Sequence, residues 1–216
     1  MNSDLIKYYD DRAKEYEKIY LKPERQEDLK NGAIILKELF SNKAVLEIAC
    51  GTGYWTQKIA ETAGSVLATD VNASVIEIGR NKIYPKSNVR CEVADLYSLE
   101  PDHSFDSLFA GFIWSHIPLQ ELGRFLETVN ALIKPGGQVV IMDNSFVRGS
   151  STPIDETDEH GNTFQTRKLE DGTTHRVLKN FPTEFYMRNK LSGVATDVEV
   201  IQLKYFWILK YRTLMR

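Results

Sequence analysis

The chain has 216 residues, enough for one substantial hydrophobic core, and no Pro/Gly/Ser-rich tract divides it. Its 42% apolar and 26% charged content is that of an ordinary globular protein, and a net charge of -3 argues against a polyanion as main partner, because nucleic-acid binders draw affinity from Lys/Arg patches. Two cysteines, Cys50 and Cys91, give neither a disulfide framework nor metal-ligand spacing, and the charge-interrupted N-terminus reads as neither signal peptide nor membrane span, so a cytoplasmic protein with no metal, membrane or nucleic-acid partner is expected.

Taken in chain order, Leu5, Tyr9, Ala13, Tyr16 and Tyr20 fall at helical spacing and predict one amphipathic helix ending before Pro23. A second helix carries Leu29, Ala33, Leu36 and Phe40 on one face. Residues 45–49 are a short apolar run of strand length, followed by glycines and a helical stretch closed by Gly64. Residues 66–70 predict another strand and 74–83 a helix. Strand-like runs at 89–95 and 105–114 then precede a helical stripe of Leu119, Leu122, Leu126, Val129 and Ile133, which Pro135-Gly136-Gly137 stops. Residues 138–143 read as a buried strand.

Beyond it, 145–159 is polar and turn-rich, including the acidic set Asp155, Glu156, Asp158 and Glu159, which reads as a solvated loop. The segments around 163–169 and 173–179 flank Gly172 and predict a hairpin. A helix follows with Thr183 as N-cap. Two strand-like runs, 197–203 and 205–214, close the chain and are too near in sequence to be anything but antiparallel. The whole is expected to be one domain over 1–216, with an N-terminal cap over 1–41 and an insertion over 145–180.

Strand and helix alternating through residues 45–143 imply right-handed crossovers and a parallel sheet with helices on both faces. Ligands of such sheets bind at the carboxyl ends of the strands, where strand order reverses. Asp70 ends the second strand, 19 residues after Gly51, the place for a carboxylate that bonds ribose hydroxyls and hence for an adenosine-containing ligand. Thr56 stands where a dinucleotide fingerprint has its third glycine. Glu47, just before the loop, would repel a pyrophosphate but welcome an ammonium or sulfonium.

The segments VLEIACGTGYWT, LATDVN, VADLYSL with FDSLFAGFIWSHIP, and LIKPGGQVVIMD resemble, in order and spacing, the successive motifs of class I S-adenosylmethionine-dependent methyltransferases. The match is strong over about residues 43–143 and weak over the closing strands. The resemblance implies a Rossmann-like, doubly wound α/β fold with a seven-stranded sheet, six strands parallel and the last antiparallel. It implies S-adenosyl-L-methionine as cofactor. Glu47 would orient the loop and the cofactor's aminopropyl end, Ala49, Gly51 and Gly53 would let backbone pass beside the methionine moiety, and Asp70, with Val71 beside it, would hold the ribose. Asp95 would accept from the adenine amine, the Leu96 amide would address the ring, and the Ala110 and Gly111 carbonyls would take the cofactor's amino group.

The N-terminal YYDDRAKEY resembles a helix that small-molecule members of this class fold over the cofactor as a lid. Tyr8, Tyr9 and Tyr16 would then approach the sulfonium, with Tyr9 a candidate catalytic residue; alternatively, they are the buried face of an amphipathic helix. His116, after the fourth strand, is either a base or substrate partner, or a tie between loop and helix. Asp143 and Asn144 face the same region, where fixing a backbone turn is one role for them. Cys50 reads as packing. The expected activity is methyl transfer to an O, N or S atom of a small molecule, by a monomer or homodimer. A non-catalytic cofactor-binding protein and a nucleotide-cofactor oxidoreductase are the alternatives.

Overall fold

The structure is a computed structural model that describes residues 3–13 and 15–215, with side chains of the first helix described from Lys7 onward, so that of Leu5 lies outside the described residues. Five parallel strands, β1 (Ala44–Ile48), β2 (Ser65–Asp70), β3 (Val89–Val93), β4 (Ser107–Gly111) and β5 (Gln138–Asn144), are joined to β9 (Ala195–Gln202) and β10 (Phe206–Thr213). The sheet order is β3-β2-β1-β4-β5-β10-β9, with β10 antiparallel to both neighbours. Six strands thus share one direction and the last in sequence opposes them, as the resemblance implies. Strand order reverses between β1 and β4, and that places a crevice at their carboxyl ends.

Alternation along the strands sends side chains to two apolar layers. Leu46 and Ile48 face a layer with Leu108, Val139 and the stripe of α5 (Leu122–Ala131), in which Leu122, Phe125, Leu126 and Val129 are buried. Val45 faces the other layer, with Phe109, Val140, Leu36 from α2 (Gln26–Leu39), Phe40 at that helix's C-cap and Ile59 from α3 (Tyr54–Ala60). Glu47, two residues after Val45, is directed to that same side. The Ile76 side chain of α4 (Ala73–Arg80) completes it.

After β5 the chain builds a small antiparallel sheet, β6 (Glu156–Thr157), β7 (Thr163–Lys168) and β8 (Thr174–Leu178). The β7–β8 hairpin is the predicted one, and Gly172 at its turn has φ of +91°. β6 was expected to be loop; Glu156 instead pairs in the ladder opposite Phe164 and holds Arg176 by two hydrogen bonds of 2.7 and 2.8 Å. α6 (Glu184–Leu191) starts where Thr183 accepts from the Tyr186 amide at 3.2 Å, as predicted.

The N-terminal segment departs from the single predicted helix. α1 (Ser3–Asp11) ends after nine residues, and a 3-10 helix, Tyr16–Leu21, follows a turn. Tertiary contacts override the local periodicity: the Tyr20 ring stacks on Tyr54 with centroids 3.8 Å apart, while Tyr16 lies edge-on to Tyr9 at 5.8 Å. One straight helix would not bring both rings to these partners. The fourth strand is likewise shorter than the predicted 105–114, because Phe112 turns into the left-handed region at φ of +60°.

Candidate active site

Backbone geometry shapes the crevice first. Ala49 leaves β1 at φ of +53°, Gly51 and Gly53 follow at +55° and +80°, and Phe112 leaves β4 at +60°. Left-handed backbone costs a non-glycine residue on the order of 1–3 kcal/mol, so Ala49 and Phe112 mark a turn that the surrounding structure enforces. A Cβ on Gly51 would first meet the Tyr16 ring, at 3.8 Å. Gly53 answers to a different neighbour: a Cβ there would lie 3.0 Å from the Tyr84 hydroxyl and 3.5 Å from Gly79 of α4. Its smallness serves helix packing under the loop.

Asp70 ties the loop to β2. Its Oδ2 accepts from the Gly51 amide and its Oδ1 from the Asn72 amide, each at 2.9 Å. Burial raises its pKa, while the amides of Asn72, Gly51 and Val71 oppose that shift. With three amides directed at it, the carboxylate keeps one of its four lone-pair sites for a ligand hydroxyl.

Of the residues singled out in the sequence, Tyr9, Tyr16, Ala49, Gly51, Asp70, Val71, Leu96, Gly111 and His116 line one crevice of about 70 Å³. Thr69, Asn72, Val75, Ala94, Phe112 and Ile113 complete its wall. All but Val75 stand inside the motif segments that carry the resemblance, at positions to which those motifs assign no contact. Glu47, Gly53, Asp95 and Ala110 lie outside the lining. Asp95 caps the 3-10 turn Leu96–Ser98 by accepting from the Tyr97 amide at 3.1 Å.

Glu47 is 1% exposed, and burial pushes its pKa up to about 8, with the Thr56 hydroxyl acting the other way and Asp70 adding to the rise. Its Oε2 has no hydrogen-bond partner among the described residues. At neutral pH it is therefore mostly a protonated acid. The charge argument that set it against a pyrophosphate does not apply to that form.

His116 sits on the 3-10 turn after β4, Trp114–His116. Its Nδ1 is 2.6 Å from the Leu178 carbonyl, and its Nε2 is 2.7 Å from the Tyr9 hydroxyl. A carbonyl only accepts, so Nδ1 carries the proton and Nε2 accepts from Tyr9. Burial, aided by the positive charges of Lys179 and Arg167, holds the imidazole pKa well below its usual value. Burial likewise raises the Tyr9 phenol, so the pair is neutral, with a basic nitrogen at the crevice. His116 thus does tie its loop to β8 while keeping one ring nitrogen on the crevice side.

A wider cavity of about 370 Å³ adjoins the crevice and shares Tyr9, Tyr16 and Phe112 with it. Asn144 and Lys179 lie on its wall. Asp143 does more than fix a turn: fully buried, it takes Lys179 Nζ at 2.9 Å on Oδ1, and the Ser115 amide and hydroxyl at 2.9 and 2.8 Å on Oδ2. Burial alone would raise the Asp143 carboxyl, but Lys179 beside it keeps it below the usual range, while burial lowers Lys179 to about 8.

The family model described as Methyltransferase domain matches residues 45–137, from β1 to the turn before β5. Demethylmenaquinone methyltransferase of Staphylococcus aureus (strain MRSA252) is 31% identical over 117 residues, which are 51% of this chain and 48% of that protein. The chain thus spans about half the length of the curated relatives it matches. The solved DhpI-SAH complex superposes over 100% of both chains with a TM-score of 0.79 and 27% identity. The DhpI-SAM-HEP complex matches over 98% of this chain and 99% of that one, with a TM-score of 0.76 and 26% identity.

The residues fit the adenosyl cofactor of such proteins: the Gly51 cradle, the Asp70 carboxylate with a lone pair to spare, and tyrosine faces above the loop all converge on one crevice. With its sheet order and the matched segment from β1 to the turn before β5, the chain has the Rossmann-like fold of the S-adenosylmethionine-dependent methyltransferases and is similar to them in sequence over residues 45–137.

Proposed function

We propose that this chain transfers a methyl group from S-adenosylmethionine to a small molecule seated in the cavity that adjoins the crevice. S-adenosylmethionine would supply a methyl group already activated on a sulfonium. The Gly51 to Gly53 loop, Asp70, Val71 and Leu96 hold that cofactor, and the strained Phe112 turn separates it from the acceptor side. Tyr9 and Tyr16 border both spaces, so closing α1 over them aligns the partners and excludes water.

The observation that carries this reading is the His116 nitrogen at the crevice side, neutral and with its proton fixed on Nδ1. An acceptor X–H that displaces the Tyr9 hydroxyl from Nε2 would pass its proton to His116 as the bond from X to the methyl carbon forms and the carbon–sulfur bond breaks, with the neutral thioether S-adenosylhomocysteine as leaving group. A hydroxyl acceptor needs that assistance most.

Methyl-labelled S-adenosylmethionine incubated with the protein and a panel of small acceptors tests this directly. Label is expected on at least one acceptor, with His116→Gln lowering kcat by about 10²–10⁴-fold, the usual scale of general-base loss, while S-adenosylhomocysteine affinity stays within about twofold. Cofactor binding without transfer to any acceptor would overturn the proposal.

A further inference from the structure

His116 can accept a proton on Nε2 only while its own proton stays on Nδ1, and that rests on one acceptor, the Leu178 carbonyl at 2.6 Å. The two groups belong to different parts of the fold. His116 stands on the 3-10 turn after β4, whereas Leu178 is the last residue of β8 in the small antiparallel sheet. Turn and strand end must keep their alignment closely, because a hydrogen bond weakens steeply as its distance and angle drift.

The residues on either side of His116 are bonded to the two that follow Leu178. The Ser115 carbonyl accepts from the Asn180 amide at 2.8 Å, and the Ile117 carbonyl accepts from Asn180 Nδ2 at 3.2 Å. The Ser115 hydroxyl accepts from Lys179 Nζ at 2.5 Å. Asp143 closes the set from the end of β5. Its Oδ2 receives the amide and the hydroxyl of Ser115, and its Oδ1 receives Lys179 Nζ and, at 2.7 Å, the Asn144 amide. One carboxylate thus grips the turn with one oxygen and residue 179 with the other. Asp143, Ser115 and Lys179 are all buried.

Fixing a backbone turn does not call for this arrangement. Taking two charges out of water is expensive even when they are paired, and a neutral Asn at position 143 would serve a turn alone. What the ion pair adds is direction: it joins β5, the turn after β4 and the segment after β8 at one point beside the imidazole. We propose that Asp143 is a positioning residue for methyl transfer, clamping the turn that carries His116 to the strand end that carries Leu178 and so fixing the ring tautomer and the direction of the Nε2 lone pair. The proposal rests on the reading of His116 as the base. Asp143 lines neither the crevice nor the wider cavity, so its effect reaches the acceptor through the ring. With the clamp loosened, the Leu178 carbonyl drifts from Nδ1 and the proton moves to Nε2. The ring then presents a donor where the acceptor needs a base.

Nitrogen-15 spectra of the histidine rings report the tautomer directly, on protein bound to S-adenosylhomocysteine and with the His116 signals assigned by their loss in His116→Gln. The parent is expected to show Nδ1 protonated and Nε2 bare. Asp143→Asn is expected to mix in the Nε2-protonated form and to lower kcat about 10²-fold, the scale of a small misplacement at a reacting centre. Because that substitution also weakens the fold, Ser115→Ala, which leaves the ion pair in place, is measured beside it; the same mixing and a severalfold loss of kcat are expected. In the His116→Gln background both substitutions are expected to change kcat by less than about twofold, whereas a residue that only supports the fold would lower kcat equally in both backgrounds. An unchanged Nδ1 tautomer in both variants, or equal losses of kcat with and without His116, would overturn the proposal. If His116→Gln by itself leaves kcat unchanged, the base reading fails, and the ring spectra still decide whether Asp143 sets the tautomer.

Discussion

Glu47 shows how a residue's neighbours decide its charge. Strand periodicity turns it inward from β1, and burial raises its pKa to about 8. Between its unfolded value near 4.5 and about 8, the folded state keeps a proton that the unfolded state releases, so stability falls as pH rises through that window. Glu47→Gln copies the protonated acid, and its melting temperature is expected to drop less than the parent's between about pH 5 and pH 8.5. Equal drops would mean that Glu47 is ionised in the fold. His116 carries the opposite sign. Its folded pKa lies well below 6.5, so its basic form persists into acid, and kcat/KM is expected to show no acid limb near pH 6.5. A limb there would place a different group, or a solvated His116, in the reaction.

The Asp143–Lys179 pair joins β5 to the segment after β8, with Ser115 from the turn after β4 bonded to both. Breaking one side strands the other in the interior. Asp143→Asn is expected to cost roughly 3–5 kcal/mol in denaturant unfolding. A cost under about 1 kcal/mol would show that Lys179 escapes to water. The pair was hard to see in the sequence because its members stand 36 residues apart and the aspartate sits at a strand end where turn fixing is common.

Among the elements, those whose apolar period is local were legible. The α5 stripe, the β7–β8 hairpin with Gly172, and the Thr183 cap follow from spacing and turn chemistry alone. What was missed depends on distant partners. Tyr16 and Tyr20 keep a helical period in sequence, yet Tyr54 and the crevice claim their rings and break the helix after Asp11. β6, two residues long, exists only because Phe164 and Arg176 meet it. The same segment explains the narrow crevice. At about 70 Å³ it is smaller than the roughly 300 Å³ at which ligand pockets begin, and the rings that narrow it from the N-terminal side are Tyr9 of α1 and Tyr16 of the 3-10 helix that follows. Amide exchange across residues 7–21 is expected to slow when S-adenosylhomocysteine binds; unchanged exchange would mean that the cofactor enters without that segment.

At the scale of the whole molecule, a parallel sheet with its ligands at the strand ends was legible because alternating strands and helices admit few topologies, whereas the antiparallel last strand came from the family resemblance and the strand order was not read. The crevice followed from strand ends, and Asp70 from its distance to Gly51. The wider cavity beside the crevice was not read, since its wall is drawn from separate segments of the chain. No helix among the described residues is long and apolar enough to cross a membrane. Everything assigned to the two spaces depends on the cofactor occupying the crevice at the ends of β1, β2 and β4. Calorimetric titration of the protein with S-adenosylhomocysteine, beside the Asp70→Ala variant, measures that occupancy. Saturable micromolar binding that weakens by about 1–3 kcal/mol in the variant is expected, whereas no binding, or tight binding of NAD in its place, would contradict it.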